Sequence, residues 1–187
     1  MKRIIAKVGP CSLRRNTSAY VSLVKSILSQ QVSVKAATAM YEKLRKSVPG
    51  KRIAPARVAT FLQSAPEQSL RDCGLSRQKR RYVQELSVRF VDGRMPTRKF
   101  ARMTDDEVSA VLTECVGIGK WTAEMFLMFT LNRPDVWPVG DLGLRQSVVN
   151  EFDLPDREDW DAIEQLGEQF RPWRTIACWY FWRAKGD

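Results

Sequence analysis

Hydrophobic residues recur at three- and four-residue intervals along most of the chain, while the two-residue alternation of a strand is almost missing. Tyr20, Leu23, Val24, Ile27, Leu28 and Gln31 share one helical face behind a cap at Asn16 or Thr17. Ser33 can cap a second helix bearing Ala37, Met40, Tyr41 and Leu44, which Pro49-Gly50 stops. Pro55 suits the first turn of a short third helix, and Ser64-Ala65-Pro66 opens a fourth that ends at Gly74. Ser76 caps a helix with Tyr82, Val83, Leu86 and Phe90 facing inward. Arg77, Lys79, Arg80 and Arg81 crowd its first turns, where cations oppose the helix dipole, and a solvated face is their plain reading. Thr104 and Glu107 have the spacing of a capping box ahead of Val108, Val111, Leu112 and Cys115. Ala123, Phe126, Leu127, Thr130 and Leu131 then form a stripe as far as Asn132-Arg133-Pro134, and further helices are expected at 142–152, 157–169 and 173–184. The pattern predicts an all-α protein without a repeat, a long linker or a low-complexity segment.

Composition narrows the function classes. At 187 residues with 44% hydrophobic content, the chain can build a real core. No apolar run approaches the ~18–20 residues of a membrane-spanning helix, and MKRIIAKVGP lacks the apolar stretch of a signal peptide. The expectation is an intracellular protein with no membrane partner. Cys11, Cys73, Cys115 and Cys178 lie far apart and form no C-x-x-C pair, which fits reduced thiols and argues against a zinc knuckle. A net charge of +10 favours a polyanionic partner such as nucleic acid. Histidine is absent, so any catalysis must use carboxylates, lysines, aromatic rings or the backbone.

The stretch CVGIGKWTA at 115–123 interrupts two helical runs. Gly117 lies where a left-handed glycine would end the first helix, and Gly119 lies at the entry of the second, where a missing Cβ lets another backbone come close. Ile118 can tuck into the core between them. The second helix would then present its first N–H groups and a partial positive charge, a seat suited to phosphate, and Lys120 adds a full charge. An ordinary tight helix–helix corner is the alternative for G-x-G alone. Asp141, after Pro138-Val139-Gly140 and before an apolar helix, has the position of an N-cap.

The extended stretch L-T-E-C-V-G-I-G-K-W-T-A resembles the helix-hairpin-helix of the DNA glycosylase superfamily that also carries a Gly/Pro-rich loop and a catalytic aspartate. S-I-L-S-Q-Q-V-S at 26–33, L-R-D-C-G-L-S-R-Q-K at 70–79, W-P-V-G-D-L-G-L-R at 137–145 and R-P-W-R at 171–174 are similar to the alkylpurine branch, the family of 3-methyladenine DNA glycosylase II. One departure is Cys115-Val116 before Gly117, where that family's hairpin reads L-P-G. The resemblance runs from about residue 16 to the C-terminus. It implies a compact fold of two helical lobes with the DNA and base cleft between them. The lobes would be about 32–135 and 1–31 plus 136–187, with the hairpin at about 107–131 and no N-terminal β-domain.

For function, the resemblance implies a base-excision-repair enzyme that flips an alkylated purine out of duplex DNA and hydrolyses its N-glycosidic bond. Asp141 takes the position of the essential aspartate. Gly117, Ile118, Gly119, Lys120 and Thr122 form the phosphate-binding hairpin, and Gln31 matches the residue that plugs the gap left by the flipped base. Trp121, Trp182 and Met125 would form the base pocket, with core packing the alternative for either tryptophan and a polar helix end the alternative for Gln31. In the glycosylase/lyases of this superfamily the nucleophilic lysine lies two residues after the second glycine. Here that position is Trp121, and Lys120, one step earlier, is turned ~100° away. Monofunctional hydrolysis without lyase activity is therefore expected.

No cofactor is required, although the superfamily's hairpin often binds a monovalent cation, here a Na+ or K+ at the backbone carbonyls of Cys115 and Gly117. An iron–sulfur cluster is not expected, because the closely spaced cysteine quartet of such glycosylases is missing. The partner would be double-stranded DNA containing alkylated bases, bound by a monomer in whatever compartment holds the DNA. The rival reading is a non-catalytic helix-hairpin-helix module that only grips phosphates, which would need neither Asp141 nor Trp121.

Overall fold

The computed structural model describes residues 1–14, 16, 18–154 and 156–184. Among them are eleven α-helices and no strand. They are α1 (Lys2–Val8), α2 (Ala19–Ser29), α3 (Val34–Ser47), α4 (Pro55–Ser64), α5 (Glu67–Asp72), α6 (Arg77–Val91), α7 (Asp105–Thr113), α8 (Lys120–Phe129), α9 (Leu142–Phe152), α10 (Trp160–Gly167) and α11 (Arg174–Ala184). None is long and apolar enough to cross a membrane.

Local chemistry sets most of these boundaries. The hydroxyls of Ser33 and Ser76 accept from the amides of Ala36 and Lys79, capping α3 and α6. Thr104 and Glu107 complete a reciprocal capping box at α7. The cap of α2 is Ser18, which accepts from the Val21 amide; of the two expected caps, Thr17 lies outside the described residues. Helix α1 is absent from the sequence expectation. Its seven residues bury only Ile4 and pack on α11, a contact that no local pattern reveals.

The chain divides into two compact units, Asn16–Phe126 and Met1–Arg15 with Leu127–Asp187. The division expected near residue 31 falls ahead of α2 because α2 packs on α3 and α6 within the middle unit, and the one expected near 135 falls after Phe126. In that unit Leu23, Val24, Ile27, Leu28, Leu44, Val58, Val83, Leu86, Val108 and Leu112 are fully buried. The Tyr20 hydroxyl pairs with Ser87 at 2.6 Å in the same interior, and burial raises its pKa far above the usual phenol value. The other unit is built around Trp137, Phe152, Phe170 and Phe181, whose rings meet at centroid distances of 5.6–6.2 Å. Helix α11 packs there on both α1 and α9.

Candidate active site

In the middle unit the turn between α7 and α8 takes its shape from Gly117. Its φ of +95° belongs to the left-handed region, and a Cβ there would lie 2.3 Å from Cγ of Tyr82. Any larger residue would therefore meet both a backbone penalty and an aromatic ring. The Ile118 amide donates to the Cys115 carbonyl at 2.9 Å, and the Ile118 side chain is buried as expected. Gly119 behaves differently from expectation. Its chain neighbours aside, no atom of the described residues comes within 4 Å of where its Cβ would stand, so the approach its small size permits is left open.

Lys120 and Trp121 open α8, with the lysine side chain 88% exposed and Trp121 41% exposed. The Lys120 ammonium stands 4.0 Å from a Glu124 carboxylate oxygen, a long surface pair. Thr122, one of the hairpin residues expected to meet phosphate, is buried. Met125 is half-buried one turn after Trp121. Burial pushes the Cys115 thiol up to about 11, so this cysteine stays protonated and offers no thiolate at neutral pH.

A concavity of about 440 Å³ borders the hairpin, lined in part by Gln30, Gln31, Lys79, Tyr82, Gly117 and Gly119. Gln31 is not on the face of α2, where its spacing puts it. It lies beyond the end of that helix, exposed, with φ +56°. A non-glycine residue in that region is uncommon and must be held by its surroundings. Two long side chains do the holding. The Gln30 side-chain amide donates to the Gly117 carbonyl at 2.8 Å, and the Lys79 ammonium donates to the Leu28 carbonyl at 2.5 Å, closing the C-terminal end of α2. Partial burial lowers the Lys79 pKa.

Thus the basic start of α6 is more than a solvated face. Arg80 also turns inward, to the Leu75 carbonyl and Glu67, while Arg77 and Arg81 remain exposed. The Gln30 bond also bears on the expected cation. Gly117 O accepts from the Gln30 side-chain amide and Cys115 O from the Ile118 amide, so a cation at this pair would use the second lone pair of each carbonyl. Among the described residues no cluster of three or more Cys, Asp or Glu side chains could hold a metal ion.

In the other unit Asp141 caps α9. Its Oδ1 accepts from the Leu144 amide at 2.7 Å and from the Trp182 indole N–H at 2.9 Å. Trp182 is half-buried on α11 and stacks on Phe129, with ring centroids 6.0 Å apart and planes inclined by 28°. The segment leading to Asp141 is bolted to the start of the same helix. Thr175 Oγ1 donates to the Arg133 carbonyl and accepts from the Val136 amide. Arg171 and Arg174, the arginines of R-P-W-R, both grip Asp135, at 2.6 and 2.8 Å. Burial pushes the Asp135 carboxyl up, but the hydrogen bonds and charge of Arg174, with Arg171 behind them, outweigh it and hold the group below its usual pKa.

One turn after Asp141, Arg145 is buried, donates to Glu158 at 2.7 Å and lies over the Trp160 ring. Of the expected site residues, Gln31 and the hairpin glycines share one concavity, and Asp141 and Trp182 share a hydrogen bond. Trp121 and Met125 belong to the unit of the hairpin, Trp182 to that of Asp141. Sequence reasoning missed Gln30, Lys79 and Tyr82, for which the Gln-Gln doublet and the misplaced cations on α6 were the available signals.

The chain as a whole has relatives among known proteins. The chain is 31% identical to DNA-3-methyladenine glycosylase 1 of Schizosaccharomyces pombe, across 98% of this chain and 81% of that protein. It resembles the alkylbase DNA glycosidase-like protein mag2 of the same yeast at 26% identity, across 96% and 85%. Among solved structures, a DNA-3-methyladenine glycosidase from Bacillus halodurans superposes with a TM-score of 0.85 at 33% identity, covering 99% of this chain and 83% of that one. The S. pombe 3-methyladenine DNA glycosylase in complex with abasic DNA reaches the same TM-score at 29% identity, over 97% and 89%. Residues 24–172 match the superfamily signature itself, and the chain belongs to the HhH-GPD superfamily of base excision DNA repair proteins.

Proposed function

We propose that the protein is a monofunctional DNA glycosylase that hydrolyses the N-glycosidic bond of alkylated purines of the 3-methyladenine and 7-methylguanine type. The observation that carries this reading is the Asp141 carboxylate, which accepts from the Leu144 amide and the Trp182 indole N–H at the head of α9. A module that only grips phosphate would use this carboxylate as a helix cap alone. Cleavage of the bond between C1′ and the base builds positive charge on the deoxyribose. A carboxylate held near C1′ stabilises that oxocarbenium-like state and orients the attacking water, whose oxygen ends on C1′ as the base leaves. An alkylated purine carries positive charge and departs readily, so it needs little help from a general acid. A chain without histidine suits such a substrate.

Binding divides among other residues. The amides at the start of α8 take a backbone phosphate, with the open space at Gly119 admitting it and Lys120 adding charge. Gln31, presented by its left-handed loop, fills the gap left by the extruded nucleotide. Trp121, exposed and electron-rich, is the surface for a cationic base, a contact worth ~0.5–2 kcal/mol. Lys120 makes no Schiff base, because Trp121 holds the register that a lyase's lysine needs, and the reaction requires no cofactor. The partner is duplex DNA with alkylated bases, bound by one copy of the chain.

The test is release of free methylated bases from alkylated duplex DNA by the wild type and by Asp141→Asn. Release by the wild type and its loss in the variant, with DNA binding retained at low salt, is the expected result. Undiminished release by the variant, or none by a wild type that binds the DNA, overturns the proposal.

A further inference from the structure

Trp182 matches a base-stacking position in sequence, yet its polar edge is committed elsewhere. We infer that Trp182 is a positioning residue for Asp141, and that Gly143 is glycine to leave that contact room. This rests on the reading of Asp141 as the catalytic carboxylate and deepens it.

An N-cap carboxylate held by one backbone amide can still rotate about its Cβ–Cγ bond. Here the second donor, the Trp182 indole N–H, reaches the same Oδ1 from a different helix, so the plane of the carboxylate and the direction of Oδ2 are both set. The indole is itself held. One ring face lies on Phe129, and α11 is tied at its start to Arg133, Pro134, Asp135 and Val136 by Thr175 and Arg174. A ring with its N–H on a carboxylate and one face on phenylalanine has little freedom to swing toward a base.

Gly143 completes the arrangement. A Cβ at that position would stand 3.1 Å from Asp141 Oδ1, close enough that the carboxylate would have to give way, and in ordinary contact at 3.4 Å with Trp182 Cδ1. This gives the glycine of D-L-G-L a stereochemical reason at a position in α9 where a helix would otherwise favour alanine. It is independent of any contact with DNA.

Trp182→Phe separates positioning from stacking, because it keeps an aromatic face and removes the N–H. A base-stacking role is rescued by phenylalanine; a positioning role is not. The expected result, in single turnover on a duplex carrying one alkylated purine, is a fall of about 10- to 100-fold in the rate of base release. Affinity for the same duplex stays within about threefold, as the binding groups named above are untouched. Gly143→Ala should lower the rate in the same direction without a change in affinity, and thermal melts establish that both variants fold. Asp141→Asn is measured alongside. If Asp141→Asn is inactive while folded Trp182→Phe and Gly143→Ala react like wild type, the positioning inference fails and the catalytic reading stands. Should Asp141→Asn itself react like wild type, the catalytic reading fails and the inference with it.

Discussion

The hairpin region of the middle unit and the Asp141 region of the other unit solve opposite problems. In the proposed function the first grips a phosphate with main-chain groups at the start of α8, after the turn that Gly117 bends. The second holds a single carboxylate against the Leu144 amide and the Trp182 indole N–H and locks the segment before it with an arginine pair on Asp135. A grip on phosphate tolerates slack, because a diffuse anion can be met by any of several amides. A carboxylate that must face one carbon tolerates little. Damage to the first region should therefore appear in affinity and stability, and damage to the second in rate.

The sharpest way to break this contrast is Asp141→Asn. It keeps an N-cap acceptor, so α9 should survive, while the charge opposite the developing cation is lost. Base release should drop by about 10²–10³-fold, with DNA affinity and melting temperature close to wild type. A large loss of affinity would show that the two regions are not functionally separate.

Next in size is Gly117→Ala. Alanine at φ +95° is strained, and its Cβ overlaps the Tyr82 ring, so the turn or the ring must move. Stability should fall by about 2–4 kcal/mol in denaturant unfolding, with DNA affinity falling beside it. The variant should nevertheless retain most of its single-turnover rate once DNA is saturating. A variant as stable as wild type would show that Tyr82 yields freely and that the turn is not fixed as described.

A smaller effect is expected of Gln30→Met, which keeps the side-chain length and removes the donor to the Gly117 carbonyl. The loss should be about 0.5–1.5 kcal/mol of stability, read as a shift of the denaturant midpoint. Because this bond ties the Gln31 loop to the hairpin, extrusion of a fluorescent base analogue should weaken as well. An unchanged extrusion signal would mean that Lys79 and the loop's own conformation suffice.

These residues also mark what could be read from the sequence. Caps at Ser33, Ser76, Thr104 and Asp141 were legible because each depends on an amide three residues away. The hairpin was legible because a left-handed glycine is a local requirement. Gln30 and Lys79 were not, since their partners are main-chain carbonyls 87 and 51 residues distant, and a carbonyl leaves no mark on residue type. The Asp141–Trp182 bond spans 41 residues, and Trp182 carried a different expectation. Gln31 was placed on a helical face by a spacing that continues one step past the helix's actual end.

The smallest effect belongs to Lys120→Ala, and it sharpens the contrast most directly because it concerns the residue most easily mistaken for a nucleophile. The Lys120 side chain is 88% exposed and the Glu124 carboxylate is 4.0 Å from its ammonium, so removing it should leave the melting temperature nearly unchanged. If Lys120 only adds charge at a phosphate, the plot of log affinity against log salt should lose about one unit of slope, uniformly across DNA sequences. The rate of base release at saturating DNA should be that of the wild type. Borohydride treatment of the wild-type reaction should trap no covalent DNA adduct. A trapped adduct that disappears in Lys120→Ala would place chemistry in the hairpin region after all, and the division between a gripping turn and a reacting carboxylate would fall.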